Sequence, residues 1–147
     1  MSFDQNCIFC KIASKQSPAA TVYEDAEVMA FLDIHPIALG HTLVIPKNHY
    51  RNLFDFDEVS GQGLMRAQRL VANALREAFN ADGLTVLQSN ERAGGQSVFH
   101  YHAHLVPRFV GDGLMTRPEQ LRGAQARLSN GFEPAELARK IRENIKT

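Results

Sequence analysis

The sequence contains no tryptophan, only two cysteines and no excess of charge of either sign. With 16 Lys and Arg against 16 Asp and Glu, the formal net charge is zero. That excludes a broad electrostatic footprint for nucleic acid or an anionic membrane, while leaving room for a small phosphate site built from a few local donors. No apolar run is long enough to span a bilayer; the stretch at Leu43–Ile45 is typical. The opening MSFDQNCIFCKI carries an early acidic residue and lacks the apolar core of a signal peptide, so a cytoplasmic protein is expected. No repeat, low-complexity tract or Gly/Ser linker divides the 147 residues, and a 44% hydrophobic content suffices for one core, so 1–147 is expected to be a single domain. Cys7 and Cys10 form one Cys-x-x-Cys, which in a reducing compartment reads as metal or redox chemistry rather than a structural disulfide.

What is present is a regular alternation of short strand signals with one long helical stripe. Thr21–Glu24 and Val28–Leu32 read as strands separated by Asp25-Ala26, and His41–Pro46 as a third, preceded by Gly40 and stopped by Pro46. Asp55 to Glu58 has the spacing of a capping box, and behind it Leu64, Ala67, Val71, Leu75 and Phe79 mark one face of a helix ended by Asp82-Gly83. Gly61 and Gly63 weaken its first turn. Leu84–Gln88 is a fourth strand, Ser89–Gln96 a polar loop, and Val98–Val106 a fifth strand ended by Pro107. A Gly111–Gly113 turn and a helix over Pro134–Lys146, with proline at its start, complete the chain. Strands joined by short turns, with helices set apart, predict an α+β fold on a mostly antiparallel sheet.

The sharpest signal is Phe99-His100-Tyr101-His102-Ala103-His104-Leu105-Val106. Side chains alternate along a strand, so His100, His102 and His104 share one face. Geometry disfavours one ion held by all three, because residues four apart on a strand are roughly 13 Å apart and zinc holds its ligand nitrogens at about 2.1 Å, whereas a neighbouring pair could share one. Just before the histidines, Asn90 to Ser97 includes the pair Gly94-Gly95, which allows close backbone approach to a ligand. Gln96 and Ser97 add side-chain donors, and the turn's N–H groups suit an anion.

This stretch resembles the signature of the histidine triad (HIT) family, His-φ-His-φ-His-φ-φ with φ apolar, matched here by His100 to Val106 and preceded by Gly95-Gln96-Ser97-Val98. Phe31-Leu32-Asp33-Ile34, Pro36 and Gly40 to Pro46 resemble the family's nucleotide-side segment, so the likeness runs from Cys7 to about Arg108 and leaves a 109–147 tail. The resemblance implies a HIT fold, with a five-stranded mostly antiparallel sheet, one long helix and a C-terminal helix. It implies that His102 is the nucleophile on the α-phosphate of an adenine nucleotide, passing through a nucleotidyl-histidine. His104, Gln96 and Ser97 match phosphate-contacting positions, and His41 a position near the α-phosphate. Asp33 matches the acceptor of ribose hydroxyl bonds, Ile34 a base-packing residue and Asn90 a residue on the ribose-phosphate side.

Within the family, Cys7, Cys10, His49 and His100 resemble the structural zinc site of a Hint-like or bacterial-type branch. On that likeness His100 serves the metal and His102 the chemistry. The implied activity is that of a nucleoside phosphoramidase; a diadenosine polyphosphate hydrolase and a nucleotide-binding sensor with incidental catalysis stand as alternatives. His104 argues against the uridylyltransferase branch, which has Gln there, and the absence of Cys and His after His104 argues against an aprataxin-like branch. A homodimer is also implied, with AMP conjugates as the small-molecule partner and no nucleic acid or membrane.

Overall fold

The computed structural model describes residues 2–114 and 132–147. Five antiparallel strands form one sheet in the order β1-β2-β3-β5-β4: β1 is Thr21–Glu24, β2 Val28–Leu32, β3 Thr42–Pro46, β4 Gly83–Gln88 and β5 Ala103–Arg108. Three α-helices accompany them among the described residues: α1 at Ile8–Ala13, α2 at Glu58–Phe79 and α3 at Pro134–Arg142. The α+β architecture expected from the patterning is the one observed. Residues 115–131 of the expected tail lie outside the described residues.

The central strands are buried on both faces, which explains why they read as continuous apolar runs. On one face Val28, Ala30, Leu32, Val44, Ala103 and Leu105 meet Leu64, Val71 and Leu75 of α2 and Ala138 and Ile141 of α3. Leu75 and Ile141 are wholly buried, and each such side chain contributes about 1.5–3 kcal/mol. On the other face Met29, Phe31, Leu43 and Ile45 are covered by Phe9, Cys10 and Ile12 of α1. That second face carries the histidines, because His104 lies opposite Leu43 in the β3–β5 register.

Several boundaries differ from the sequence expectation. The cap of α2 is Asp57, whose carboxylate accepts the Ser60 N–H at 2.8 Å, and not Asp55. Asp55 belongs to a preceding 3₁₀ turn, Leu53–Asp55, and accepts the Arg51 N–H at 2.8 Å. The helix ends at Phe79 with Asn80 in the left-handed region, two residues before the Asp82-Gly83 expected to stop it. Gly40 (φ +83°) holds the β2–β3 connection against this end; a Cβ there would lie 2.5 Å from the Phe79 ring. β5 begins at Ala103 and continues through Pro107, whereas Val98–Val106 was expected. Pro107 is tolerated because beyond Leu105 the strand is paired with β4 alone. The C-terminal helix stops at Arg142, short of Lys146. Helix α1 was not anticipated: six residues are too few for a periodic signal.

Candidate functional site

His100 and His102 precede the ladder of β5, in a segment that bends over residues 98–100 and is tied by the Tyr101 N–H donating to the Tyr50 carbonyl at 2.7 Å. The alternation nevertheless holds. Tyr101, Ala103 and Leu105 enter the helix-side core, while the imidazoles of His102 and His104 stand 5.0 Å apart on the opposite face. The three histidines then divide between two clusters.

The first cluster is Cys7, Cys10, His49 and His100, whose ligand atoms all lie within 4.8 Å of one another. Nδ1 of His100 is 3.4 Å from Cys7 Sγ and 3.5 Å from Cys10 Sγ, and Nδ1 of His49 is 3.3 Å from Cys10 Sγ. Four ligands placed tetrahedrally around an ion at zinc–sulfur and zinc–nitrogen distances sit about 3.3–3.8 Å apart. The donor set therefore fits a closed four-coordinate metal. Its proton arrangement fits as well: His100 Nε2–H donates to the Pro46 carbonyl at 2.8 Å, leaving Nδ1 free to ligate. Burial pushes the Cys10 thiol up to about 11 and holds His100 down to about 4, so without an ion these two groups are neutral at pH 7. The Cys10 N–H, donating to Cys7 Sγ, and the Asp4 N–H, donating to Cys10 Sγ, are placed to stabilise the thiolates that a metal requires.

The second cluster lines a cleft of about 920 Å³, a volume suited to a nucleotide-sized molecule. Its polar wall includes Asp33, His41, Ser97, His102 and His104, with Gly94 and Gly95; its apolar wall includes Ile8, Phe9, Ile12, Phe31 and Leu43. Ile34 stands at this cleft almost fully exposed. Backbone partners fix the imidazole protons. His102 Nδ1–H donates to the His100 carbonyl at 2.8 Å, leaving Nε2 with a free lone pair. The Ile37 N–H donates to His41 Nδ1 at 3.2 Å, so the proton of His41 sits on Nε2 and is donated to His104 Nδ1 at 2.9 Å. His104 then carries its own proton on Nε2. Asp33, His41 and His104 are close enough for a metal, but the proton on His41 Nε2 makes them a hydrogen-bonded chain instead. Asp33 does two things. Its Oδ1 accepts the His35 N–H at 2.8 Å as a turn residue, and its Oδ2 lies 3.5 Å from His41 Nε2 at the cleft.

Asn90 and Gln96, expected at the ligand, stand behind the cleft wall in this structure. Gln96 is buried with its amide fully engaged: Oε1 accepts from Glu91 N–H (2.8 Å) and Asn52 Nδ2 (3.3 Å), and Nε2 donates to the carbonyls of Arg51 (2.6 Å) and Val98 (3.1 Å). Asn90 accepts from Leu53 N–H and Gln88 and donates back to Gln88. Both hold the shape of the loop that Gly94 and Gly95 present to the cleft. Arg51 and Glu91 complete this scaffold with a two-pronged ion pair at 2.8 and 2.9 Å, and Arg51 holds the Glu91 carboxyl down to about 2. The sequence gives no periodic or motif signal for Arg51, Asn52 or Glu91, which act only once the loops meet. Phe9 and Ile12 were equally unanticipated, although their apolar character beside Cys7 and Cys10 was available as a signal.

Burial lowers the pKa of His41, and brings that of His104 down to about 4, with the neighbouring imidazoles adding to the effect and Asp33 opposing it. Unfolded histidine titrates near about 6.5, so between pH 6.5 and 4 the unfolded chain takes up protons that the folded state refuses. Stability is therefore full above this window and falls as the pH drops through it. Urea midpoints at pH 7.5 and pH 5 are expected to show the loss, and equal midpoints would contradict the neutral histidine chain.

A five-stranded antiparallel sheet bearing three alternating histidines, divided between a Cys/His cluster and an open cleft, defines a histidine triad protein. The chain belongs to the HIT domain family, whose model matches residues 14–111. It is 48% identical over 111 residues to Protein hit of Bacillus subtilis, covering 75% of this chain and 77% of that one. It is 33% identical over 144 residues to the adenylylsulfatase HINT3 of Arabidopsis thaliana, covering 98% of this chain and 72% of that one. Among solved structures, a zinc-bound histidine triad family protein from Mycobacterium smegmatis matches with a TM-score of 0.81 and 35% identity, covering 95% and 93% of the two chains. No helix among the described residues is long and apolar enough to cross a membrane.

Proposed function

We propose that the protein is a nucleotidyl hydrolase or transferase acting at the α-phosphate of adenine nucleotides, of the nucleoside phosphoramidase type. The observation that carries this reading is the free Nε2 of His102, held by the Nδ1–H bond to the His100 carbonyl, on a ring that lines the same cleft as Asp33, Gly94 and Gly95. The lone pair of Nε2 attacks the α-phosphorus, and the bond from phosphorus to the leaving group breaks with its electron pair. His104 Nε2–H and Ser97, which line the cleft, face the charge that gathers on the phosphoryl oxygens, whereas the N–H groups of Gly94, Gly95 and Gln96 are spent on the carbonyls of Glu91 and Arg92 within the turn. Water then attacks phosphorus, releases the nucleoside monophosphate and restores His102. Burial lowers the pKa of His102, so the ring is in its attacking form at neutral pH.

The nucleoside lies along the apolar wall with its ribose at Asp33, whose free Oδ2 accepts from the hydroxyls, and Ile34 closes on the base. Cys7, Cys10, His49 and His100 would hold zinc, which would supply no reacting group but would tie α1 to the sheet, in keeping with a closed S₂N₂ site. The family also suggests a homodimer, for which the open edge of β4, with Val86 exposed, is available.

The reading is tested by AMP release from an adenosine phosphoramidate, from adenylylsulfate and from a diadenosine polyphosphate. Acid-labile radiolabel from an α-labelled substrate should remain on His102 in quenched protein. AMP release without labelled protein would mean direct attack by water, and tight AMP binding with no release from any of the three would favour the sensor reading. Asp33→Ala should weaken AMP by about tenfold, the worth of a hydrogen bond from a charged acceptor, and weaken 2′-deoxy-AMP much less. Equal weakening would leave Asp33 with its turn bond to His35 alone.

A further inference from the structure

The Cys/His cluster and the cleft share two structural connections. The first is Phe9, which stands in the Cys7-Ile8-Phe9-Cys10 knuckle between the two thiols. Its ring meets His100 edge-on at 5.9 Å and His102 edge-on at 5.2 Å, and it also lines the cleft. The second is His100 itself. Its ring faces both thiols, while its backbone carbonyl accepts the His102 Nδ1–H that fixes the proton arrangement of the nucleophile.

Little else holds this part of the apolar wall. Helix α1 has six residues, too few to be stable alone. Its tethers are the packing of Phe9 and Ile12 on Phe31 and Leu43, the Cys7 and Cys10 contacts, and the bonds between Ser2 and the His49 backbone. An ion joining Cys7 and Cys10 to His49 and His100 fixes the helix that presents Ile8, Phe9 and Ile12 to the cleft. A nucleoside lying against those side chains presses the same helix toward its metal-bound position.

We infer that the metal cluster and the nucleotide cleft are thermodynamically linked: the ion tightens nucleotide binding, the nucleotide tightens the ion, and Phe9 is the positioning residue that transmits the effect. This rests on the nucleotide reading of the cleft given above. Linkage requires the two factors to be equal, since both measure one coupling free energy.

The test is equilibrium binding on the full chain, with no turnover in the readout. Zinc affinity is measured by chelator competition with and without saturating AMP, and AMP affinity is measured on the metal-free and zinc-loaded protein. AMP is expected to raise zinc affinity about fivefold or more, and zinc to raise AMP affinity by the same factor. Phe9→Leu is expected to bring both factors toward one while each ligand still binds; Phe9→Met serves if the leucine variant does not fold. Factors within about twofold of one in the wild type would overturn the linkage and leave both sites standing. An unchanged factor in the Phe9 variants would remove Phe9 from its role. Failure of AMP to bind the zinc-loaded protein would instead overturn the nucleotide reading itself, and this inference with it.

Discussion

His102→Ala is expected to lower kcat/KM for AMP release by about 10⁴-fold or more, a loss of roughly 5.5 kcal/mol of transition-state stabilisation. The size follows from the chemistry. Without Nε2 no nucleotidyl-enzyme forms, and the reaction must use water held in the cleft by groups arranged for a different nucleophile. His41 Nε2 cannot substitute, because its proton is committed to His104 by the Ile37 N–H on the far side of the ring. His104 cannot substitute through Nδ1, which accepts that proton. Binding should survive better than turnover: Asp33 and the apolar wall remain, so AMP affinity should change by less than about tenfold. The fold should persist, since the helix-side core of Tyr101, Ala103 and Leu105 does not include this ring. Activity within tenfold of wild type would move the nucleophile elsewhere. Lost activity together with a lost thermal transition would show only that the ring is needed for packing, and His102→Gln, which keeps the volume, would then decide.

The sequence carried the face of the site better than its edges. Alternation separated His102 and His104 from Tyr101, Ala103 and Leu105, which enter the helix-side core although pairing begins only at Ala103. It could not show that pairing starts at Ala103, because the bond that holds the earlier part comes from the Tyr50 carbonyl, a contact between distant loops. The grouping of His49 and His100 with Cys7 and Cys10 was legible only through the likeness to a zinc-bearing branch of the family, since Cys-x-x-Cys by itself names two of the four donors that the structure gathers. The roles of Asn90 and Gln96 were not legible. A polar side chain beside Gly-Gly has the same appearance whether it points at a ligand or at the loop behind it, and only the positions of Arg51, Asn52 and Leu53 show that both amides are already engaged. The α2 cap failed for a local reason. Asp55 and Asp57 are both capable caps, and the 3₁₀ turn at Leu53–Asp55 takes the first out of contention.

With zinc held as proposed at Cys7, Cys10, His49 and His100, stripping it from the wild-type protein is expected to lower Tm by about 5–15 °C, the equivalent of about 2–4 kcal/mol for a chain of this size. This is far less than the roughly 10–16 kcal/mol of a zinc-finger peptide, whose fold does not exist without the ion. Here α2, α3 and the helix face of the sheet bury their own core, and the ion is asked only to secure α1 and the His49 segment. Without it, two buried thiols and the fully buried His100 keep weak sulfur–nitrogen contacts in place of four coordinate bonds. Cys10→Ser should reproduce the loss, since Cys10 contacts both histidines, and chelator should add nothing further to that variant. The location of the change separates this account from a general loosening. Amide exchange should rise in Ile8–Ala13 and around residues 46–49, while the middle of α2, where Ala67, Val71 and Ala74 are fully buried, stays protected. An unchanged Tm on confirmed metal loss would mean that the packing of Phe9 and Ile12 holds α1 unaided. Faster exchange throughout α2 would mean that the ion supports the whole fold rather than one side of its cleft.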